Sequence, residues 1–287
     1  MFYLIIAITF GSLFAILFKL FQRNGIDVLQ AIGINYIVAL LLGFIGNIAI
    51  GEPLVAISSW ILPALFAGLF MMGGFVMMNR ATHSHGIAVA TIAARISFVI
   101  PVLCSYCFLQ GEAPRWGASA FVILALLFIF FHHKKQHKHA IWQWLFPLSV
   151  FFCYGIANFL LKLCQQFVTD AHGGNADLSM ITSVAFFAAF IYTVIYYRLQ
   201  PSNQRHPFAW KNIWAGGILG SVNVGCTYFL LKALTNIDSS LFYPIYNMSI
   251  VLIATLVGQF CFKETLSWIQ YVGIAIALLA IALFFYH

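Results

Sequence analysis

Charge is what this chain has least of: 7% of its 287 residues are Asp, Glu, Lys or Arg, whereas 63% are hydrophobic. A water-soluble domain carries about 25% charged residues to keep its surface compatible with water. Most of this surface must therefore face something other than water. Apolar runs recur along the whole chain, each near the roughly 20 residues needed to cross a hydrocarbon core as a helix. They predict an all-α integral membrane protein. The opening MFYLIIAITFGSLF has no basic segment before it and no A-x-A-like site after it, so it reads as a first span rather than a cleaved signal.

Other absences narrow the function. The seven acids (Asp27, Glu52, Glu112, Asp170, Asp177, Asp238 and Glu264) all fall in loops or at span edges. The spans thus lack a carboxylate of the kind that proton-coupled carriers load and unload. No H-E-x-x-H, no G-x-S-x-G and no pair of intramembrane aspartates occurs, which argues against an enzyme. The six cysteines lie in or beside apolar runs and read as small buried hydrophobes. Cys104 and Cys107 form a C-x-x-C without the second pair of ligands that a structural zinc site requires. No metal or cofactor is expected. The net charge of +7 would point to nucleic acid in a soluble protein. In a membrane protein basic residues report orientation instead, and the expected partners are membrane lipids and a small-molecule substrate. A monomer suffices for this architecture, and the sequence does not fix the oligomeric state.

Breaks rich in charge, Gly, Pro or Asn divide the chain into ten expected spans. They cover 2–20, 28–50, 60–79, 86–109, 116–131, 142–164, 178–197, 208–231, 239–262 and 267–286. The basic tract HHKKQHKH, 132–139, lies at the centre, and it needs no metal to act as a topology anchor. Sliding the chain by 152 positions aligns 61–129 with 213–281 without a gap. The shift pairs Gly68 with Gly220, Gly73 with Gly225, Ser97 with Ser249, Glu112 with Glu264 and Trp116 with Trp268. Near the start a shift of 143 pairs Lys19 with Lys162. The expected organisation is therefore a five-helix repeat at 1–133, a linker at 134–141 and a second repeat at 142–287. An odd number of spans makes the copies enter the membrane from opposite sides. Inverted repeats are a recurring architecture of secondary transporters, with the substrate at the midplane where the halves meet.

One set of loops carries Arg23, Arg80, Lys134, Lys135, Lys138, Arg198, Arg205, Lys211 and Lys263, and the other only Arg115. The positive-inside tendency puts the first set, with 132–139, in the cytoplasm and both termini outside. A bacterial inner membrane is the expected location.

The segments LQGEAPRWGASAFVILALLFIFF and FCFKETLSWIQYVGIAIALLAIALFF each place an acid in a short link before a last apolar helix. In this the chain resembles the drug/metabolite transporter superfamily, whose EamA-type domains end in this way. FKLFQRNGID and the YPIYN…KE stretch are similar to its rhamnose-transporter-like branch. The resemblance covers nearly the whole chain. It implies a central cavity lined by the third, fourth, eighth and ninth spans, and no catalytic residues. Glu112 and Glu264 match the family motif, but a carboxylate before a helix chiefly favours the positive end of its dipole.

Arg95 is the residue that a purely structural reading explains least. It is the tenth residue of its span, roughly 15 Å in at 1.5 Å per residue, about half of the hydrocarbon depth. An arginine at a helix centre costs about 2.5–3.5 kcal/mol to insert, so it should face a partner or a wet cavity. Under the 152 shift Arg95 maps to Asn247 and Thr91 to Tyr243. Spacing i, i+4 puts each pair on one helix face, and Phe98 and Ile250 continue the stripes. Pro244 predicts a distortion of the ninth span, while Tyr246 falls off the stripe and reads as packing. Asn158 with Lys162 forms a second i, i+4 pair, and Lys19, Asn35, Tyr36, Asn79 and Asn223 are further buried polar residues that line a cavity or tie helices together. The candidate substrate residues are therefore Arg95, Thr91, Phe98, Tyr243, Asn247, Asn158, Lys162, Asn79 and Asn223. A wholly cationic interior points to an anionic cargo such as a carboxylate or phosphate, of amino-acid or organic-metabolite type. A lipid or lipid-linked-phosphate flippase and a neutral-sugar transporter are the alternatives.

Overall fold

The computed structural model describes residues 2–50, 59–85, 93–108, 145–172, 178–201 and 209–262, with isolated positions at 120, 124, 268, 271–272 and 275–276. Thr91, Glu112, Glu264, the linker 134–141 and most of the expected fifth and tenth spans lie outside them. So do the side chains of Lys19 and Pro244.

The described elements are helices: α1 (Phe2–Arg23), α2 (Val28–Ile50), α3 (Ile61–His85), α4 (Val99–Phe108), α5 (Leu145–His172), α6 (Leu178–Leu199), α7 (Trp210–Leu234) and α8 (Ser239–Phe262). Among the described residues there is no strand. Five apolar stretches, Val28–Ile45, Ile61–Ala81, Leu145–Thr169, Met180–Leu199 and Trp210–Leu234, are long enough to cross a membrane. A helix satisfies its backbone donors and acceptors within one segment, which lipid demands. This is an all-α membrane protein.

Local chemistry sets the turn between α1 and α2. Gly25 adopts φ 58°, a left-handed conformation that costs a glycine little. Asp27 then caps α2, its Oδ1 accepting from the backbone N–H of Leu29 at 3.0 Å and of Gln30 at 3.1 Å. Asn212, near the start of α7, holds this turn from outside. Its Oδ1 accepts from the Asp27 N–H at 3.1 Å, and its Nδ2 donates to Gln30 Oε1 at 2.9 Å. Lys211 Nζ donates to the Gly25 carbonyl at 2.8 Å.

Helices from the two ends of the chain interleave. α3 packs on α5 and α6, α7 packs on α1 and α2, and α2 packs on α6. α4 leans on α5, α8 leans on α1, and α4 and α8 touch each other more lightly. Small residues bring the backbones together, since lipid gives no hydrophobic drive between helices. A Cβ on Gly68 would meet the Ala185 carbonyl and Ala188 of α6. A Cβ on Gly220 would meet the Asn35 carbonyl at 2.7 Å and the Val38 Cβ at 2.8 Å, on α2.

The fourth span differs from expectation. Residues 93–96 are helical, Ser97 and Phe98 form a turn, and α4 starts only at Val99. Pro101 lacks the N–H that would reach the Ser97 carbonyl, and its ring crowds that carbonyl. The Ser97 carbonyl instead accepts from the Ile100 N–H at 3.0 Å, and the Ser97 Oγ donates to the Ala94 carbonyl at 2.6 Å. The expected distortion at Pro244 is not found: α8 runs unbroken through that position.

Candidate functional site

Arg95 sits two residues before the break and is half-buried. Its Nη1 donates to Asn247 Oδ1 of α8 over a long 3.5 Å. The amide of Asn247 is oriented by its own backbone: Nδ2 donates to the Tyr243 carbonyl at 2.8 Å, which leaves Oδ1 for Arg95. The Arg95 Cζ lies 5.9 Å from the centroid of the Tyr246 ring, at the outer edge of cation–π range. Tyr246 is fixed on its other sides. It stacks on Phe242 with centroids 5.2 Å apart, its hydroxyl lies 3.0 Å from Cys226 Sγ of α7, and it closes against Gly11 of α1.

Tyr154 of α5 lies near enough to Arg95 for the guanidinium to act on it electrostatically, as it does on Cys226 and Tyr246. A Cβ on Gly74 of α3 would meet the Tyr154 ring at 3.1 Å, so this ring also rests on a glycine. Phe75 links Tyr154 to Tyr36 of α2, with centroids 6.3 Å and 5.8 Å away. Tyr36 and Tyr243 are fully buried, and neither hydroxyl has a hydrogen-bond partner among the described residues. The same holds for Arg95 Nε. Buried polar atoms in proteins are nearly all paired, so the orphaned Nε of this cation is a donor without its acceptor.

The sequence-predicted residues divide into two groups. Arg95, Asn247, Tyr243 and Phe98 come together: Phe98 and Tyr243 are each 1% exposed and share a core cluster with Tyr246 and Ile250. Thr91 lies outside the described residues. Asn223 is elsewhere, its Nδ2 donating to Asn35 Oδ1 at 3.1 Å between α7 and α2, the interhelical tie that such residues often make. Lys162 is half-buried on α5 and feels Asp238, just ahead of α8. Asn158 lies one turn before it on α5, and Asn79 near the end of α3 beside Arg80, whose Nη2 donates to Tyr196 Oη at 2.8 Å. Met72 and Met78 of α3 are buried, in two separate clusters.

Sequence reasoning missed Tyr154 and Cys226, and it set Tyr246 aside. The repeat held a signal for all three. Under the 152 shift Tyr246 corresponds to Ala94 and Cys226 to Gly74, and under the 143 shift Tyr154 corresponds to Gly11. A tyrosine facing a very small counterpart, twice over, and a thiol facing a glycine single these positions out.

The chain matches no protein-family model. It is similar to an uncharacterized protein of Haemophilus influenzae, 27% identical over 301 residues that cover 99% of this chain and 97% of that one. It also shares its fold with a protein of known crystal structure. The TM-score is 0.69 and the identity 14%, over 98% of this chain and 94% of the other.

Proposed function

We propose that this protein is a secondary transporter that carries a small anionic metabolite by alternating access between two inverted five-helix halves. The observation that carries the reading is Arg95: a half-buried cation deep in an apolar assembly, beside a helix break, with no carboxylate partner among the described residues. A guanidinium so placed is costly unless a substrate or water meets it. Discontinuous helices at mid-depth are a recurring feature of transporter sites, because irregular backbone is tolerated only against protein or a wet cavity.

Several pairings favour the duplication. Gly68 packs against Ala185 and Ala188, and Gly220 against Asn35 and Val38, so one shift of 150 relates both partners. A Cβ on Gly73 would lie 3.5 Å from Cys153 Sγ, and one on Gly225 would meet Phe10 at 2.7 Å, partners that are 143 apart, the shift read near the start of the chain. The helix neighbours follow the same exchange: α3 on α5 is matched by α7 on α1, and α4 on α5 by α8 on α1. The resemblance of the glutamate-bearing segments to the drug/metabolite transporter superfamily agrees with this class of function. A bacterial inner membrane, with the Arg- and Lys-rich loops in the cytoplasm, is part of the same proposal.

The test is a thermal-unfolding screen of the purified protein against metabolites, repeated with Arg95→Ala, since a ligand stabilises the state it binds. Anions that stabilise the wild type and not the variant should then be taken up into proteoliposomes. Stabilisation by neutral compounds alone, unaffected by the variant, sinks the proposal.

A further inference from the structure

We infer that the edge of Arg95 formed by Nε and Nη2 receives one carboxylate, so that the cargo is an organic monoanion rather than a phosphate ester or a neutral compound. This rests on the transport reading above and specifies its substrate.

A guanidinium presents five N–H donors in a planar fork. Nη1 is taken by Asn247, the Tyr246 ring lies alongside the group, and the Tyr246 hydroxyl also interacts with the guanidinium. The remaining edge, where Nε and Nη2 point the same way, has the spacing of the two oxygens of a carboxylate. Nε is buried, and among the described residues nothing accepts from it. A donor left in that state is costly, whereas a bidentate acceptor satisfies Nε and Nη2 together.

Charge balance selects the monoanion. The other well-placed cations are engaged away from Arg95: Lys211 with the Gly25 carbonyl, Arg80 with Tyr196, Lys232 over the Tyr228 ring, and Lys162 in the field of Asp238. One carboxylate makes the loaded centre neutral. A phosphate monoester carries about −1.5 to −2 near pH 7, and its excess charge would stay unpaired in a poorly solvated interior. The surroundings are aromatic: Phe98 and Tyr243 are wholly buried, the Tyr246 ring lies beside the cation, and Tyr154 is within its electrostatic reach. They suit an apolar or aromatic body behind the carboxylate. Tyr246 is a positioning residue in this scheme. Its ring lies beside the guanidinium, and its hydroxyl is shared between Cys226 and Arg95.

The experiment measures binding of phenylacetate, phenyl phosphate and phenylacetamide to the purified full chain at pH 7.5, with unliganded unfolding temperatures recorded for every variant. Phenylacetate should bind about 10- to 100-fold more tightly than its amide, the range expected for a charge-assisted hydrogen-bonded pair. Phenyl phosphate should also bind more weakly than phenylacetate. Arg95→Ala should abolish the preference for acid over amide, and Arg95→Lys, which keeps the charge without the fork, should lose about tenfold. Tyr246→Phe should keep the preference and Tyr246→Leu narrow it, a difference that a merely structural residue would not produce. Phenyl phosphate binding as tightly as phenylacetate overturns the monoanion inference but leaves anion transport standing. Equal binding of acid and amide, unchanged in Arg95→Ala, removes both. Failure of phenylacetate to bind also overturns the inference, and the metabolite screen then judges the transport reading alone.

Discussion

Arg95 Nη1 and Asn247 Oδ1 lie 3.5 Å apart although the residues are 152 apart in sequence, and 152 is the shift that aligns 61–129 with 213–281. In an object with internal two-fold symmetry, residues meet their own copies only next to the axis. On the inverted-repeat reading that axis lies in the membrane plane. Position 95 is then at mid-depth for a reason independent of counting residues from the end of a span.

The interlocked glycines differ sharply in what they tolerate. Gly220→Ala should destabilise the protein by about 1–3 kcal/mol, the usual penalty for overpacking, because its Cβ would strike the α2 backbone. Gly217→Ala, three residues away with nothing within 4 Å, should be neutral or gain up to about 1 kcal/mol from helix propensity. Unfolding in a denaturing-detergent titration distinguishes them, and equal effects would refute the packing argument.

Asn212→Ala should loosen the turn between α1 and α2. It removes both hydrogen bonds that Asn212 makes to Asp27 and Gln30, at a cost of about 1–2 kcal/mol. Amide exchange at Leu29 and Gln30, measured by hydrogen–deuterium mass spectrometry, should rise before exchange elsewhere does.

Arg23 and Asn236 should be found on opposite sides of the membrane. Lys211 ties the end of α1 to the start of α7, whereas Asn236 follows the far end of α7 and bonds the Lys232 carbonyl at 3.1 Å. With the exposed Cys107 and Cys261 replaced by serine, Arg23→Cys should react with an impermeant maleimide in inside-out vesicles, and Asn236→Cys in right-side-out ones. Labelling of both from one side would contradict the packing. Labelling with the sides exchanged would reverse only the orientation.

Lys162 and Asp238 should show weak coupling. Asp238 is exposed, so a double-mutant cycle with Lys162→Met and Asp238→Asn should return no more than about 1 kcal/mol, decreasing with salt. A larger, salt-insensitive coupling would mean a sealed ion pair.

Apolar run length located α2 and α8 to the residue, because in lipid the limits of an apolar segment and of its hydrogen bonding coincide. It placed the end of α5 at 164, yet the helix continues to His172. KLCQQFVTDAH is polar enough to leave the hydrocarbon without unwinding, and hydropathy reports the solvent rather than the hydrogen bonds. The break at Ser97 was missed because a proline acts on the carbonyl four residues before it. Pro101 drew less notice than Pro244, which α8 absorbs near its start. Tyr246 was misjudged for a different reason. The i, i+4 rule sorts side chains on one straight cylinder, whereas the long arm of Arg95 reaches Tyr246 from another helix. Nothing in periodicity announces Tyr154, which comes to the cation from the other half of the chain.

On the inverted-repeat reading, unlike residues facing each other across the axis have a bearing on ancestry. Were both copies arginine, two guanidiniums would confront one another, at a penalty of about 4 kcal/mol for unit charges 4 Å apart at an effective dielectric of 20. Were both asparagine, the centre would hold no fixed charge at all. A half-length subunit pairing with itself is confined to those two outcomes. On that reading, joining the halves in one chain releases the copies from identity and permits a lone positive centre, which a homodimer of the same design has no means to encode.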